Sequence, residues 1–235
     1  MSYKEFVVGD YSLSVLDLNT PDVTVAVNGI AGGYGGLDRE DVEFKSARKF
    51  GSTVHIRDTK CTWANSSSFE DLIVWLQKSL PSGKKLFVGN SMGGFYATLL
   101  QSYFPGSRLL CFAPQWSISP EIIPAEKRWK NLTRDLEIKI PSLSSTIEKS
   151  EYSLFFFGSQ REERRHSRFF AKELSGGMGS AIQIQGCGHD VARVIKEAGL
   201  IGPLFEWMKS NDEPPDAETL SLEILNAGLK HKFLK

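Results

Sequence analysis

The sequence predicts an α/β fold, with a mostly parallel central sheet flanked by helices and a small lid-like insertion. Three observations point to it. From residue 23 onward, short β-branched or aromatic runs alternate with stretches of helical spacing. Those runs are apolar at successive positions, VTVAV at Val23–Val27 above all, as in strands covered on both faces. Glycine-rich turns fall where a strand gives way to a helix, near residues 28–36 and 89–94.

Residues 5–8 and 11–17 alternate in polarity around Gly9-Asp10, a hairpin signal that predicts an antiparallel start. The VTVAV strand ends at Asn28-Gly29, and after the loop Gly32-Gly33-Tyr34-Gly35-Gly36 helical spacing runs over 38–50. A strand over 52–56 and an amphipathic helix over 68–80 follow, the latter carried by Phe69, Leu72, Ile73 and Leu76. Strand 86–88 leads into GNSMGG, then a helix over 95–103 and a strand over 108–112. Regularity breaks down over about 114–150, where Pro114, Pro120, Pro124 and Pro141 mark an insertion. The sheet resumes at 152–157, followed by a charged helix over 162–174, a last strand over 181–185 and a closing helix over 190–208. Residues 1–209 therefore read as one domain, and 210–235 as a linker (NDEPPDAE) with an amphipathic helix. That helix packs on its own domain or, alternatively, forms a homodimer contact, as the insertion could also.

Acidic and basic residues number 28 each in 235, which argues against nucleic acid as a partner. The N-terminus lacks a signal-peptide core, and no stretch is long enough to span a membrane, so the expected location is cytoplasmic. Cys61, Cys111 and Cys187 form neither a disulfide framework nor a metal pair, and nothing in the sequence calls for a cofactor or a metal.

The chemistry centres on Gly89-Asn90-Ser91-Met92-Gly93, a G-x-S-x-G between an apolar strand and a helix, the setting of a nucleophile elbow. The bland alternative is a phosphate-binding turn, but a Walker loop needs Gly-Lys-Ser/Thr, and a dinucleotide fingerprint belongs after the first parallel strand. A serine hydroxyl needs a base to act as a nucleophile near neutral pH. Of four histidines, His189 stands in GCGH between the last predicted strand and the last helix, the chain order expected of the base. His55, His166 and His231 read as structural or peripheral.

The third group should be a carboxylate after strand 152–157, but Arg161 stands where an aspartate would fit best. Glu162 and Glu163 are the nearest acids, Glu163 being preferred, and both also suit a solvated helix start. Asp190 adjoins His189 and would project away from its ring. Backbone N–H groups of Met92 and Ile30 are the expected oxyanion donors.

Through GNSMGG, the VNGIAGG loop and GCGHD, residues 1–209 resemble the α/β-hydrolase superfamily of serine hydrolases. The chain is similar in particular to hydrolase-like proteins associated with surface-polysaccharide genes, through Ser91-Met92-Gly93-Gly94, Phe112-Ala113-Pro114-Gln115, Ile118/Pro120 and Arg128-Trp129. The resemblance implies ester or acyl chemistry through an acyl-enzyme on Ser91, on a small-molecule or glycan-linked acyl substrate. The absent aspartate departs from the superfamily pattern and puts the acid in question. The alternatives are a glycan acyltransferase and a non-catalytic binding or assembly protein. Trp63, Trp116 and Trp129 read as core or lid packing before pocket lining. Arg161, Arg164, Arg165, His166 and Arg168 read as a solvated face.

Overall fold

The computed structural model describes residues 3–17, 19–30, 42–174, 179–210 and 213–234. Among these residues nine strands form one sheet in the order β1-β2-β4-β3-β5-β6-β7-β8-β9. The hairpin of β1 (Lys4–Val8) and β2 (Tyr11–Leu16) lies antiparallel at one edge, with Tyr11 opposite Asp58 of β4 (Ser52–Asp58). β3 (Val23–Val27), β4, β5 (Lys85–Asn90), β6 (Arg108–Phe112), β7 (Tyr152–Gly158) and β8 (Gly179–Ile184) run parallel.

Side chains alternate across each strand, so the parallel strands feed two cores. Val25, Phe87, Leu109, Cys111, Phe155 and Phe157 join one face, against α1 (Phe69–Ser79) and α2 (Met92–Gln101). Ala26, Val88, Leu110, Phe112, Phe156 and Ile182 join the other, against α5 (Val191–Glu197) and α6 (Ile201–Lys209). Truncating a ring such as Phe87, which is fully buried, would cost about 3–5 kcal/mol. α2 follows the turn at Ser91 and is buried along its whole length, which leaves its N-terminal end little freedom to move.

Several elements differ from expectation. Of the helix expected over 38–50, residues 38–41 lie outside the described residues, and the described part is a single 3-10 stretch, Lys45–Phe50. The closing helix is two, α5 and α6, separated at Gly199, whose φ of +79° no continuing helix adopts. The strand over 181–185 is not the last. After α7 (Ala217–Asn226), β9 (His231–Leu234) pairs antiparallel with β8. α7 packs on this domain through Leu220 and Ile224, while Leu222 and Leu225 stay exposed. The insertion contains only α3 (Lys130–Thr133) and a 3-10 turn over Ile147–Lys149. The charged helix, α4 (Arg161–Glu173), begins one residue early. No helix among the described residues is long and apolar enough to cross a membrane.

Candidate active site

Ser91 links β5 to α2 with φ +56° and ψ −122°, a left-handed backbone that a non-glycine residue adopts at a cost. The turn is held because Ser91 N–H donates to Phe112 O at 2.8 Å and Phe95 N–H to Ser91 O at 3.1 Å. Its tightness explains the flanking glycines. A Cβ on Gly89 would lie 2.1 Å from Gly93 O, and one on Gly93 would lie 2.1 Å from Val27 O. Ser91 is buried, only 5% exposed.

The loops carrying His189 and Glu163 are stitched together. Ser159 N–H donates to Cys187 O at 2.9 Å, and Gly186 N–H to Ser159 Oγ at 3.1 Å. The two backbones approach so closely that a Cβ on Gly158 would lie 2.2 Å from Gly188 O. This contact brings Glu163, third residue of α4, beneath His189. Ser91 Oγ lies 2.7 Å from His189 Nε2, and His189 Nδ1 lies 2.9 Å from Glu163 Oε1. The carboxylate accepts only, so Nδ1 carries the proton and Nε2 presents its lone pair to the serine. Asp190 is turned elsewhere, bonded to Arg193 and to Gly188 N–H. Glu162 is half-exposed, 4.0 Å from Arg165.

The insertion adds a cation that sequence reasoning left without a role. Arg128 Nη1 donates to Glu163 Oε1 at 2.6 Å, while its Nε and Nη2 grip Glu126. Burial pushes the Glu163 carboxyl up, but the His189 and Arg128 contacts outweigh it and hold the group below its ordinary value. The same opposition, with His166 and Arg128 as the partners, puts Glu126 well below the carboxylate range. His166 is not on the solvated face. It is buried, accepts from Trp116 N–H at Nδ1 (2.9 Å) and donates from Nε2 to Glu126 Oε2 (2.9 Å). Burial lowers its affinity for a second proton despite Glu126. The insertion is also tied at its far side, where Asn65 Oδ1 accepts from the N–H groups of Lys139 and Ile140 at 2.6 and 2.7 Å.

Two further groups reach the site from neighbouring strand ends. Gln115 Nε2 donates to Ser91 Oγ at 3.0 Å, and Trp63 Nε1 donates to Gln115 Oε1 at 3.3 Å. Trp129 stands beside the His189 ring, centroids 5.7 Å apart, and Trp63 backs it at 6.1 Å. Met92 opens α2, and Ile30 is half-buried against the core. A Cβ on the adjacent Gly29 would lie 3.6 Å from Ser91 Cβ, which sets this loop against Ser91. The glycines from Gly32 to Gly36 lie outside the described residues. His55 is buried within β4, not at its end, and His231 contacts Ser221 Oγ. No cluster of three His, Cys, Asp or Glu side chains fit to hold a metal occurs among the described residues.

The sheet order, the strand-to-helix serine and the covering helices define the α/β-hydrolase fold, and comparison with solved structures agrees. The chain is similar to the capsule O-acetyltransferase of Neisseria meningitidis serogroup A, at 15% identity over 86% of this chain and 93% of that one, with a TM-score of 0.63. It is similar to Est1E from Butyrivibrio proteoclasticus, at 14% identity over 87% and 98% of the two chains, TM-score 0.61. Carboxyl esterase 2 from the mycorrhizal fungus Tuber melanosporum matches at 13% identity over 87% and 83%, TM-score 0.59. No protein-family model matches the sequence, and no curated protein does.

Proposed function

We propose that this protein is a serine acyl hydrolase that forms an acyl-enzyme on Ser91, with His189 as general base and acid and Glu163 as the orienting carboxylate. The continuous hydrogen-bond chain Ser91 Oγ, His189 Nε2, His189 Nδ1, Glu163 Oε1 supports this reading, each link within 2.9 Å and anchored on a left-handed serine. The Oγ proton passes to Nε2 as Oγ bonds the acyl carbon, and the carbonyl oxygen takes the electron pair. Collapse of that intermediate expels the alcohol, which takes the proton from His189. Water then repeats the sequence and releases the acid. Backbone N–H groups of Met92 and Ile30 are the proposed oxyanion donors.

The likeness to a capsule O-acetyltransferase favours a second reading, in which a glycan hydroxyl replaces water as the acyl acceptor. The test is a fluorophosphonate probe, which forms an adduct only with an activated serine, with the adduct located by peptide mass spectrometry. An adduct on Ser91 that is lost in Ser91→Ala and His189→Ala is the expected result. Absence of labelling in the folded wild type would favour a non-catalytic binding role. Product analysis with and without sugar acceptors separates hydrolysis from transfer.

A further inference from the structure

We propose that Gln115 is a catalytic residue, a side-chain amide that donates to the nucleophilic oxygen of Ser91 and is aimed by Trp63. The proposal rests on the serine-hydrolase reading above. Gln115 follows β6 by three residues, is fully buried, and spans the gap between Trp63 Nε1 and Ser91 Oγ. An amide can be turned either way, but an indole N–H can only donate. Trp63 therefore takes the amide oxygen and leaves Nε2–H for Ser91.

The consequence is chemical. With one lone pair of Oγ occupied by Gln115 Nε2–H at 3.0 Å, the hydroxyl proton is directed to His189 Nε2 at 2.7 Å. As that proton leaves, charge builds on Oγ and the amide bond to it strengthens. In the acyl-enzyme Oγ is an ester oxygen, a weak acceptor, and the bond slackens. It strengthens again as Oγ departs during deacylation. Gln115 thus favours the transition states on both sides of the intermediate over the intermediate itself, and no proton leaves it.

The segment that holds Trp63 is strained in a way a packing role does not require. Cys61, Trp63 and Ala64 all have left-handed φ values, +55°, +48° and +62°. Asp58 holds the bend by accepting from Thr62 N–H and Thr62 Oγ1–H at 2.5 and 2.9 Å, and Asn65 Nδ2 donates to Thr62 O and Trp63 O at 3.0 and 2.8 Å. Backbone strain held by a dedicated bracket beside a reactive group is the pattern of functional preorganisation.

The test compares Gln115→Met, Gln115→Glu and Trp63→Phe with wild type in fluorophosphonate labelling rate and in kcat and KM for p-nitrophenyl acetate. Gln115→Met keeps the length and removes the donor, and should slow both labelling and kcat by about 10–100-fold with KM little changed, less than the ~10²–10³ lost with an oxyanion-hole donor because Oγ carries only part of the developing charge. Gln115→Glu substitutes a carboxylate acceptor and should lower both further. Trp63→Phe keeps a ring, frees the amide to turn, and should lower kcat by a smaller factor than Gln115→Met, which a purely structural tryptophan would not do in a variant of unchanged circular dichroism. Should Gln115→Met fail to fold, Trp63→Phe and Gln115→Glu carry the same comparison. Labelling of Ser91 in wild type with Gln115→Met equal to or faster than wild type would overturn this inference alone. A wild type that is never labelled would overturn the hydrolase reading and this inference with it.

Discussion

Glu163→Gln is the most informative single change, because the carboxylate serves two partners through one oxygen. His189 Nδ1 and Arg128 Nη1 reach Glu163 Oε1 at 2.9 and 2.6 Å, and they stand 3.2 Å from each other. In the proposed proton transfer the imidazole would become a cation facing the guanidinium, with the Glu163 carboxylate between them. A unit charge pair about 4 Å apart contributes about 4 kcal/mol at an effective dielectric of about 20. At about 1.4 kcal/mol per tenfold, the loss of kcat should be on the order of 10³. Arg128 deepens that loss, since the glutamine leaves it facing the imidazolium with only Glu126 to balance it. Arg128→Met added to Glu163→Gln should therefore recover about tenfold, opposite to the additive loss expected of independent sites. The assay is steady-state hydrolysis of p-nitrophenyl acetate at neutral pH, with folding matched by circular dichroism and Glu162→Gln as the silent control. Glu163→Gln within about threefold of wild type, or a double variant slower than the single one, would refute the reasoning.

Ser91→Ala and His189→Ala should each lower kcat by ~10³ or more, with the double variant scarcely worse than either, and additive losses in the same assay would sink the coupled pair. Cys187→Ser should keep near-wild-type activity, because burial pushes the thiol up to about 11 and it bonds Ile184 O instead of entering the site; an inactive variant would point to a thiol mechanism. Glu126 and Glu163 are both held below the ordinary value of 4.5, so the unfolded chain binds more protons in acid, and stability they contribute above that value is lost as pH falls through their folded values. Urea midpoints measured between about pH 5 and pH 3 should fall, and fall less steeply in Glu126→Gln; parallel curves would count against the linkage.

Much of the fold was legible because its signals are local. VTVAV reads as a strand buried on both faces, LFV and RLLCF as strands, and GNSMGG requires small residues wherever backbone meets backbone. What escaped depends on tertiary placement. β9 is four residues of unremarkable sequence, HKFL, whose strand character comes from pairing with β8. α5 and α6 share one helical period, and Gly199 between them was the available warning. Nothing local separates Glu163 from Glu162, since both suit a solvated helix start, and it is the packing of Gly158 against Gly188 that puts Glu163 beside His189. His166 looked solvated within an arginine-rich run, yet its place on α4 three residues after Glu163 puts it on the same buried face. Gln115 and Arg128 stood in the very stretches that carried the polysaccharide-associated resemblance, FAPQ and Arg-Trp, without a chemical role to suggest them.

The buried ions make sense as one electrostatic unit spanning the insertion and α4. Glu126 and Glu163 are anionic and Arg128 is cationic, while His166 is neutral, because its Nδ1 is occupied by Trp116 N–H. The resting cluster thus has a net charge of about −1, and it would become neutral if His189 took the serine proton as proposed. Two buried carboxylates without Arg128 would leave an uncompensated charge, whose cost in a protein interior is several kcal/mol. Two full cations opposite them would cancel the attraction that imidazolium needs. A single guanidinium, bidentate to Glu126 and touching one oxygen of Glu163, leaves the surplus negative charge on the side facing His189. The segment over 114–150, which carries both Glu126 and Arg128, would then be a structural part of the proposed acid.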